Sequence, residues 1–277
     1  LALLMGEGSL ISQEQWQVLR NTGTLHLAVV SGMHLTLVGA LAGLLTLWIW
    51  QWFPSERYPA TLVSAWVAWI VATAFAVLAG LNLPVQRAWV MLSVILVGIV
   101  LKRQLHPLLS LSWALLLVML WDISAVMQAG FWLSFLATAA LVWLLTSPDR
   151  WFWKLIGMHL GMSFLLAPFL MIIFQQLPIY APIANILAAP LVESVFVPLL
   201  LLAGVMSAIS HDISMAIGSL IDELWQYLWA GLTVISTWSS AVLLVKVSGW
   251  HWGLLGIWGV VLLLWKRYLL TPIGLLW

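Results

Sequence analysis

Four groups of polar residues sit inside otherwise apolar sequence, and their types and spacing bear on chemistry. The first is NTGTLHLAVVSGMHL, residues 21–35. At 100° per residue, Thr24, His26, Ser31 and His34 fall within about 160° of one another on a continuous helix, with Gly32 allowing a close approach by a neighbour. Two imidazoles and a hydroxyl on one face suit the wall of a wet path; the same groups can also bind one helix to the next. The second is LPVQRAW, where Arg87 stands early in an apolar run behind Pro84. A fixed guanidinium there would hold an anionic substrate, or would snorkel to an interface. The third is WDISAVMQAGFWLSFLATAAL, with Asp122, Gly130 and Ser134. Asp122 can end a helix or couple transport to a proton, and Ser134 can bond across to another helix. The fourth is PIYAPIANILAAPLVESVFVP, with Pro178, Pro182, Asn185, Pro190, Glu193 and Pro198. Four prolines in so short a stretch do not form one regular helix. Broken backbone at membrane depth survives only where protein or water satisfies it. His159, with Ser163 one turn later, adds a further polar pair.

Several chemistries are missing from the sequence. It contains no G-x-x-x-x-G-K-[ST], so no P-loop of its own, and no H-E-x-x-H, G-x-G-x-x-G or G-x-S-x-G, Ser31 standing in VVSGMH. With no cysteine there is no disulfide, thiolate metal site or thiol catalysis. No cofactor and no metal are expected.

The elements that must position these residues follow from composition. Of 277 residues, 64% are hydrophobic and 7% charged, with a mean hydropathy of +1.10. A water-soluble domain carries roughly 25% charged residues, so most of this surface must face hydrocarbon. A polar group in that setting costs roughly 2.5–3.5 kcal/mol on insertion scales, which makes each of the four groups a functional hypothesis. Ten Lys and Arg against nine Asp and Glu give a net charge of +1, without global attraction to nucleic acid. Tryptophan outnumbers tyrosine 21 to 4, as suits residues that bridge headgroup and acyl chain.

Residues 12–22 carry a Ser cap, an early Glu14 and a late Arg20, the pattern of a short interfacial amphipathic helix. Apolar runs follow at about 24–52, 61–80, 84–101, 107–121, 130–146, 155–174, 190–209, 213–238 and 252–265. They are continuous and not alternating, which excludes a barrel. The expected fold is all-α: a polytopic bundle of roughly nine spans with broken or re-entrant segments, forming a single membrane domain over residues 1–277, the bundle occupying about 24–265. Arg57, Lys102–Arg103, Arg150 with Lys154, and Lys266–Arg267 fall on one side if the spans alternate, and the long loop 175–189 falls on the other. That places the amino terminus outside and the carboxyl terminus in the cytoplasm. The opening LALLMGEGSL has neither an initiator Met nor the features of a signal peptide, and reads as part of something longer.

Over about residues 5–205 the chain resembles the central membrane domain of the ComEC family, the DNA-internalization competence proteins. The resemblance rests on four motifs in order: GTLHLAVVSGMHL with His26, Ser31, Gly32 and His34; Arg87 early in a span; AGFWLSFLA with Gly130, Ser134 and Phe135; and PIANILAAPLVESVFVPL with Asn185, Pro190 and Pro198. It implies a multi-pass protein of the bacterial cytoplasmic (inner) membrane that helps pass single-stranded DNA. It also implies work beside a DNA receptor and a cytosolic helicase, in contact with membrane lipid and as a homo-oligomer. The OB-like and metallo-β-lactamase-like domains usual in the family are absent here, and no H-x-H-x-D-H metal signature occurs. The chain is therefore expected to be a transport protein and not an enzyme.

On this reading His26, Ser31, Gly32, His34, Arg87, Ser134, Asn185 and Pro190 line or gate the path, with Asp122, His159 and Glu193 available for coupling. A strand needs a wet route, cations near phosphate and flat rings beneath the bases, base–aromatic stacking being worth roughly 1–3 kcal/mol per base. Two alternatives stay open. One is a proton-coupled or small-molecule transporter using Asp122, Glu193 and the histidines. The other is an intramembrane serine hydrolase with Ser31 as nucleophile and His34 or His159 as base, which requires a Ser–His pair within about 2.6–3.2 Å.

Overall fold

A computed structural model describes residues 11–27, 32–52, 57–103, 105–145, 151–239 and 241–244. The chain starts with α1 (Gln13–Thr22), fixed by a capping box in which Ser12 Oγ accepts from the Gln15 N–H and Gln15 Oε1 accepts from the Ser12 N–H. Gly23 ends it in the left-handed region at φ 68°, where a Cβ would come within 2.6 Å of the Ala181 Cβ. Leu25–Leu27 then form a 3-10 turn, and the next helix, α2, begins at Gly32 and runs to Trp50. The apolar run from residue 24 is therefore not one helix from its start, contrary to the sequence reading. Thr24 is buried and bonded to Thr22 through their hydroxyls at 2.8 Å, so it lies on no common face with His34.

The remaining helices are α3 (Ala60–Leu78), α4 (Leu83–Val100), α5 (Pro107–Trp121), α6 (Ala129–Leu145) and α7 (Trp151–Phe174). After them come α8 (Ala181–Leu191), α9 (Val197–Ser207) and α10 (His211–Ser236). Among the described residues, four helical runs are long and apolar enough to cross a membrane: Gly32–Trp50, Ala60–Leu78, Leu83–Val100 and Ala181–Ser207. Pro107–Trp121, Ala129–Val142 and His159–Phe174 are shorter apolar helices. Most of these bounds lie within a few residues of the apolar runs, but the run read as 190–209 is helical from Ala181, and the run read as 213–238 forms α10, which is not among the described helices long and apolar enough to cross. The expected run 252–265 and the cations Lys266 and Arg267 lie outside the described residues.

Small residues bring the spans together. Gly39 and Gly43 of α2 face Ala68, Ala72 and Ser64 of α3, and Ser64 Oγ donates to the Gly43 carbonyl at 2.9 Å. In lipid, where apolar burial between helices gains little, such close backbone approach and interhelical hydrogen bonds are what hold spans together. Between α3 and α4, Trp69 Nε1 donates to Ser93 Oγ at 3.0 Å and Trp89 Nε1 to Thr73 Oγ1 at 2.9 Å. These two indoles are helix-to-helix fasteners and not belt residues.

The proline-rich fourth segment departs from expectation twice. Only its start is irregular: Gln176–Pro178 (β1) pairs antiparallel with Val242–Leu244 (β2), a short ribbon in a fold expected to be all-α. From Ala181 onward the chain is helical, with Pro182 in the first turn, where its missing N–H costs nothing. The helix continues unbroken to Ser207, so these residues form no re-entrant loop. Its hydrogen bonding is nonetheless irregular, because Pro198 cannot donate to Ser194. Val192–Phe196 form a π segment instead, with the Val197 N–H bonded to the Val192 carbonyl five residues back.

Candidate functional site

Asn82 caps α4 through a hydrogen bond from the Val85 N–H, and Pro84 occupies the first turn. That start sets Arg87 one turn into the helix, on the face turned toward α6. Arg87 is only 5% exposed, and its Nε donates to Ser134 Oγ of α6 at 3.3 Å. The guanidinium lies over Gly130: a Cβ there would stand 3.4 Å from Nη2. Arg87 and Ser134, distant in sequence, are thus brought into contact, and Gly130 leaves one side of the cation free of side chain. No carboxylate pairs with Arg87 among the described residues. A buried cation without a counter-ion is costly, and it favours any anion that reaches it.

The start of α2 packs on the same turn of α4. A Cβ on Gly32 would stand 2.6 Å from the Ala88 Cβ, which explains glycine beside Arg87's neighbour. His34, one turn into α2, is 1% exposed. His26 projects from the 3-10 turn with an exposed side chain, its imidazole donating to the Gly23 carbonyl, and lies within electrostatic reach of both His34 and His159. His159 and Ser163 are half-buried on α7. Ser31 lies outside the described residues.

The elements form a closed circuit: α2 packs on α4, α4 on α6, α6 on α7, α7 on α8, and the π segment that follows α8 returns to α2. Each member carries a residue that the sequence singled out: His34, Arg87, Ser134, His159, Asn185 and Glu193. Asn185 Oδ1 and Glu193 Oε1 are buried acceptors without a hydrogen-bond partner among the described residues. Pro190 stands in the last turn of α8, where it removes one rung of the ladder just before the π segment. Asp122 does not join the circuit. Its Oδ1 accepts from the Ser124 N–H at 2.9 Å and from Ser124 Oγ at 2.6 Å, capping the 3-10 turn Ile123–Met127.

Arg87 and His34 are both buried against the described residues in this conformation. Sequence reasoning passed over Asp222 and Glu223, two adjacent acids in the middle of α10. Their signal was the pairing of charges inside a run otherwise read as a span. Among the described residues no three of His, Cys, Asp and Glu gather as a metal would require.

Residues 3–269 match the Competence family, described as "Competence protein". The chain belongs to the Competence family. Among its curated relatives are "Competence protein ComA" of Neisseria gonorrhoeae, 31% identical over 220 residues, and "Uncharacterized protein YcaI" of Escherichia coli, 30% identical over 221. "Recombination protein 2" of Haemophilus influenzae is 25% identical over 218 residues. These alignments cover 74%, 73% and 73% of this chain but 30%, 28% and 28% of the respective relatives. This Competence-family chain thus spans under a third of the length of the curated relatives it matches. No solved structure matches it.

Proposed function

We propose that the chain is a membrane component of DNA uptake that passes single-stranded DNA across the bacterial cytoplasmic membrane, with Arg87 as the cation that meets phosphate. Family membership over residues 3–269 supports a role in competence, as does the name of the Neisseria relative. The observation that carries the finer reading is the Arg87 site. Guanidinium presents five N–H donors in a planar fork suited to phosphate. Here Nε meets a hydroxyl, and the Gly130 side carries no side chain. The buried geometry is read as the closed state of the path, phosphate gaining access when α4 and α6 part.

The test is transformation frequency in a naturally competent host whose own copy is replaced by this chain's variants, with membrane content of each variant measured by immunoblot. Losing a charge-assisted hydrogen bond costs about 1.5–3 kcal/mol, or about 10–150-fold. Arg87→Ala should lower transformation by at least about that factor at unchanged membrane content, and Arg87→Lys by less, because it keeps the charge and loses the fork. Normal transformation by Arg87→Ala would remove the assignment.

A second reading has one observation in its favour. The unpartnered Glu193 oxygen on a π segment suits a proton-coupled transporter, since such segments recur at functional sites. Glu193→Gln separates the two. It should abolish pH-gradient-driven flux if coupling is the function, and should leave DNA passage largely intact if Arg87 steers phosphate.

A further inference from the structure

The guanidinium of Arg87 lies along α6. Its Nε meets Ser134 Oγ, while Nη2 lies 3.4 Å from the Cβ position of Gly130, one turn nearer the amino end of that helix. The Nη groups are therefore aimed at the first turn of α6, where the Ala129 and Gly130 N–H groups lie ahead of the i→i−4 ladder. Neither Nη atom has a hydrogen-bond partner among the described residues, although Arg87 is buried. Arg87 also stands one turn from the amino end of α4. A helix carries partial positive charge at that end and favours anions there. Two such ends and a guanidinium thus converge, and they repel one another unless an anion lies among them. The acid nearest α6 in sequence, Asp122, is occupied by Ser124.

Depth selects the anion. α4 has 18 residues and is apolar enough to cross a membrane. At about 1.5 Å per residue it is about 27 Å long, close to the ~30 Å of a hydrocarbon core. Its first turn, and Arg87 with it, falls where acyl chains meet headgroups, the level of phospholipid phosphate. Gly130, over the guanidinium, is exposed. The segments that open α4 and α6 carry exposed apolar side chains: Leu81 and Leu83 on one, Ile123, Met127 and Trp132 on the other. A free inorganic anion gains nothing from such a rim, whereas a diacyl lipid packs its chains there.

On the reading of Arg87 as the cation that meets phosphate, we propose that Arg87 and the amino ends of α4 and α6 hold the phosphate of an anionic phospholipid as the resting occupant of this site. The lipid neutralises the guanidinium until a strand displaces it. Among the described residues no free carboxylate stands beside Arg87 to receive a choline or ethanolamine group, which favours a headgroup without a cation, such as that of phosphatidylglycerol.

The test is native mass spectrometry of the purified chain in detergent, with phosphatidylglycerol and phosphatidylcholine of identical acyl chains supplied together. One phosphatidylglycerol should be retained at least about tenfold more tightly than phosphatidylcholine, the lower bound for hydrogen bonds to a charged group. Arg87→Ala should lose that preference. Gly130→Leu, which keeps the guanidinium and fills the opening above it, should lose it too, with folding of both variants checked by thermal unfolding followed through tryptophan fluorescence. Equal retention of the two lipids would overturn the proposal, as would a preference that survives in Gly130→Leu, since the lipid would then sit on other cations such as Arg57 or Lys102. Inorganic phosphate or an oligothymidylate displacing the lipid from the unsubstituted chain at equimolar concentration would assign the resting site to a free anion or to the strand, and would overturn it as well. Transformation is a separate reading: an Arg87→Ala chain that transforms normally yet no longer retains the lipid loses only the DNA role, and one that retains the lipid yet fails to transform loses only the lipid site.

Discussion

Arg87 Nε and Ser134 Oγ stand 3.3 Å apart across the α4–α6 interface, the contact that joins the second and third polar groups of the sequence. Removing the hydroxyl takes from a buried guanidinium its one side-chain partner among the described residues. Ser134→Ala should lower transformation by about 5–30-fold, the equivalent of about 1–2 kcal/mol. Ser134→Thr, which keeps the hydroxyl, should be milder. Because the two residues act as one unit, Arg87→Ala combined with Ser134→Ala should be no worse than Arg87→Ala alone. Additive losses, measured as transformation frequency of the four chains at matched membrane content, would show that the hydroxyl acts elsewhere.

Gly32 gives a prediction about packing. With the Ala88 Cβ only 2.6 Å from where its own Cβ would stand, any side chain must push α2 off α4. Gly32→Leu should destabilise the bundle by about 1–3 kcal/mol, the usual cost of overpacking. The measurement is the temperature of unfolding in detergent, followed by tryptophan fluorescence. Gly32→Leu with Ala88→Gly should recover part of the loss, and failure of that pair to recover would point to backbone conformation at residue 32 and not to contact.

Pro198 tests the π segment. Pro198→Ala restores an N–H that can bond the Ser194 carbonyl, so an ordinary α ladder can replace the bond from Val197 to Val192. The variant should unfold at a higher temperature, proline in a helix interior costing about 3 kcal/mol relative to alanine, with less expected here near the first turn of α9. Function should fall, because closing the π segment turns Glu193 relative to Asn185. A variant that is both more stable and fully competent would mark the segment as a packing accommodation.

Much of the bundle was legible because a membrane span must be apolar along its whole length. The runs 61–80, 84–101 and 130–146 correspond to Ala60–Leu78, Leu83–Val100 and Ala129–Leu145. The break after Thr24 was not legible. Its cause is tertiary: Gly23 takes a left-handed conformation against Pro178 and Ala181, far along the chain, while LHLAVV itself reads as a continuing apolar run. The helix from Ala181 was hidden by its prolines, whose placement in a first turn or beside a π segment is tolerated. Of the site, the sequence marked Arg87 and Ser134 separately. That they touch depends on how α4 and α6 pack, which no local spacing encodes.

The ribbon of Gln176–Pro178 with Val242–Leu244 stitches together the two legs of the α8–α10 hairpin at its foot, and Tyr180 and Trp238 clasp immediately above it. That hairpin can tilt as a unit but cannot slide leg against leg without tearing the stitch. Any widening of the helical circuit must then be borne by its other members.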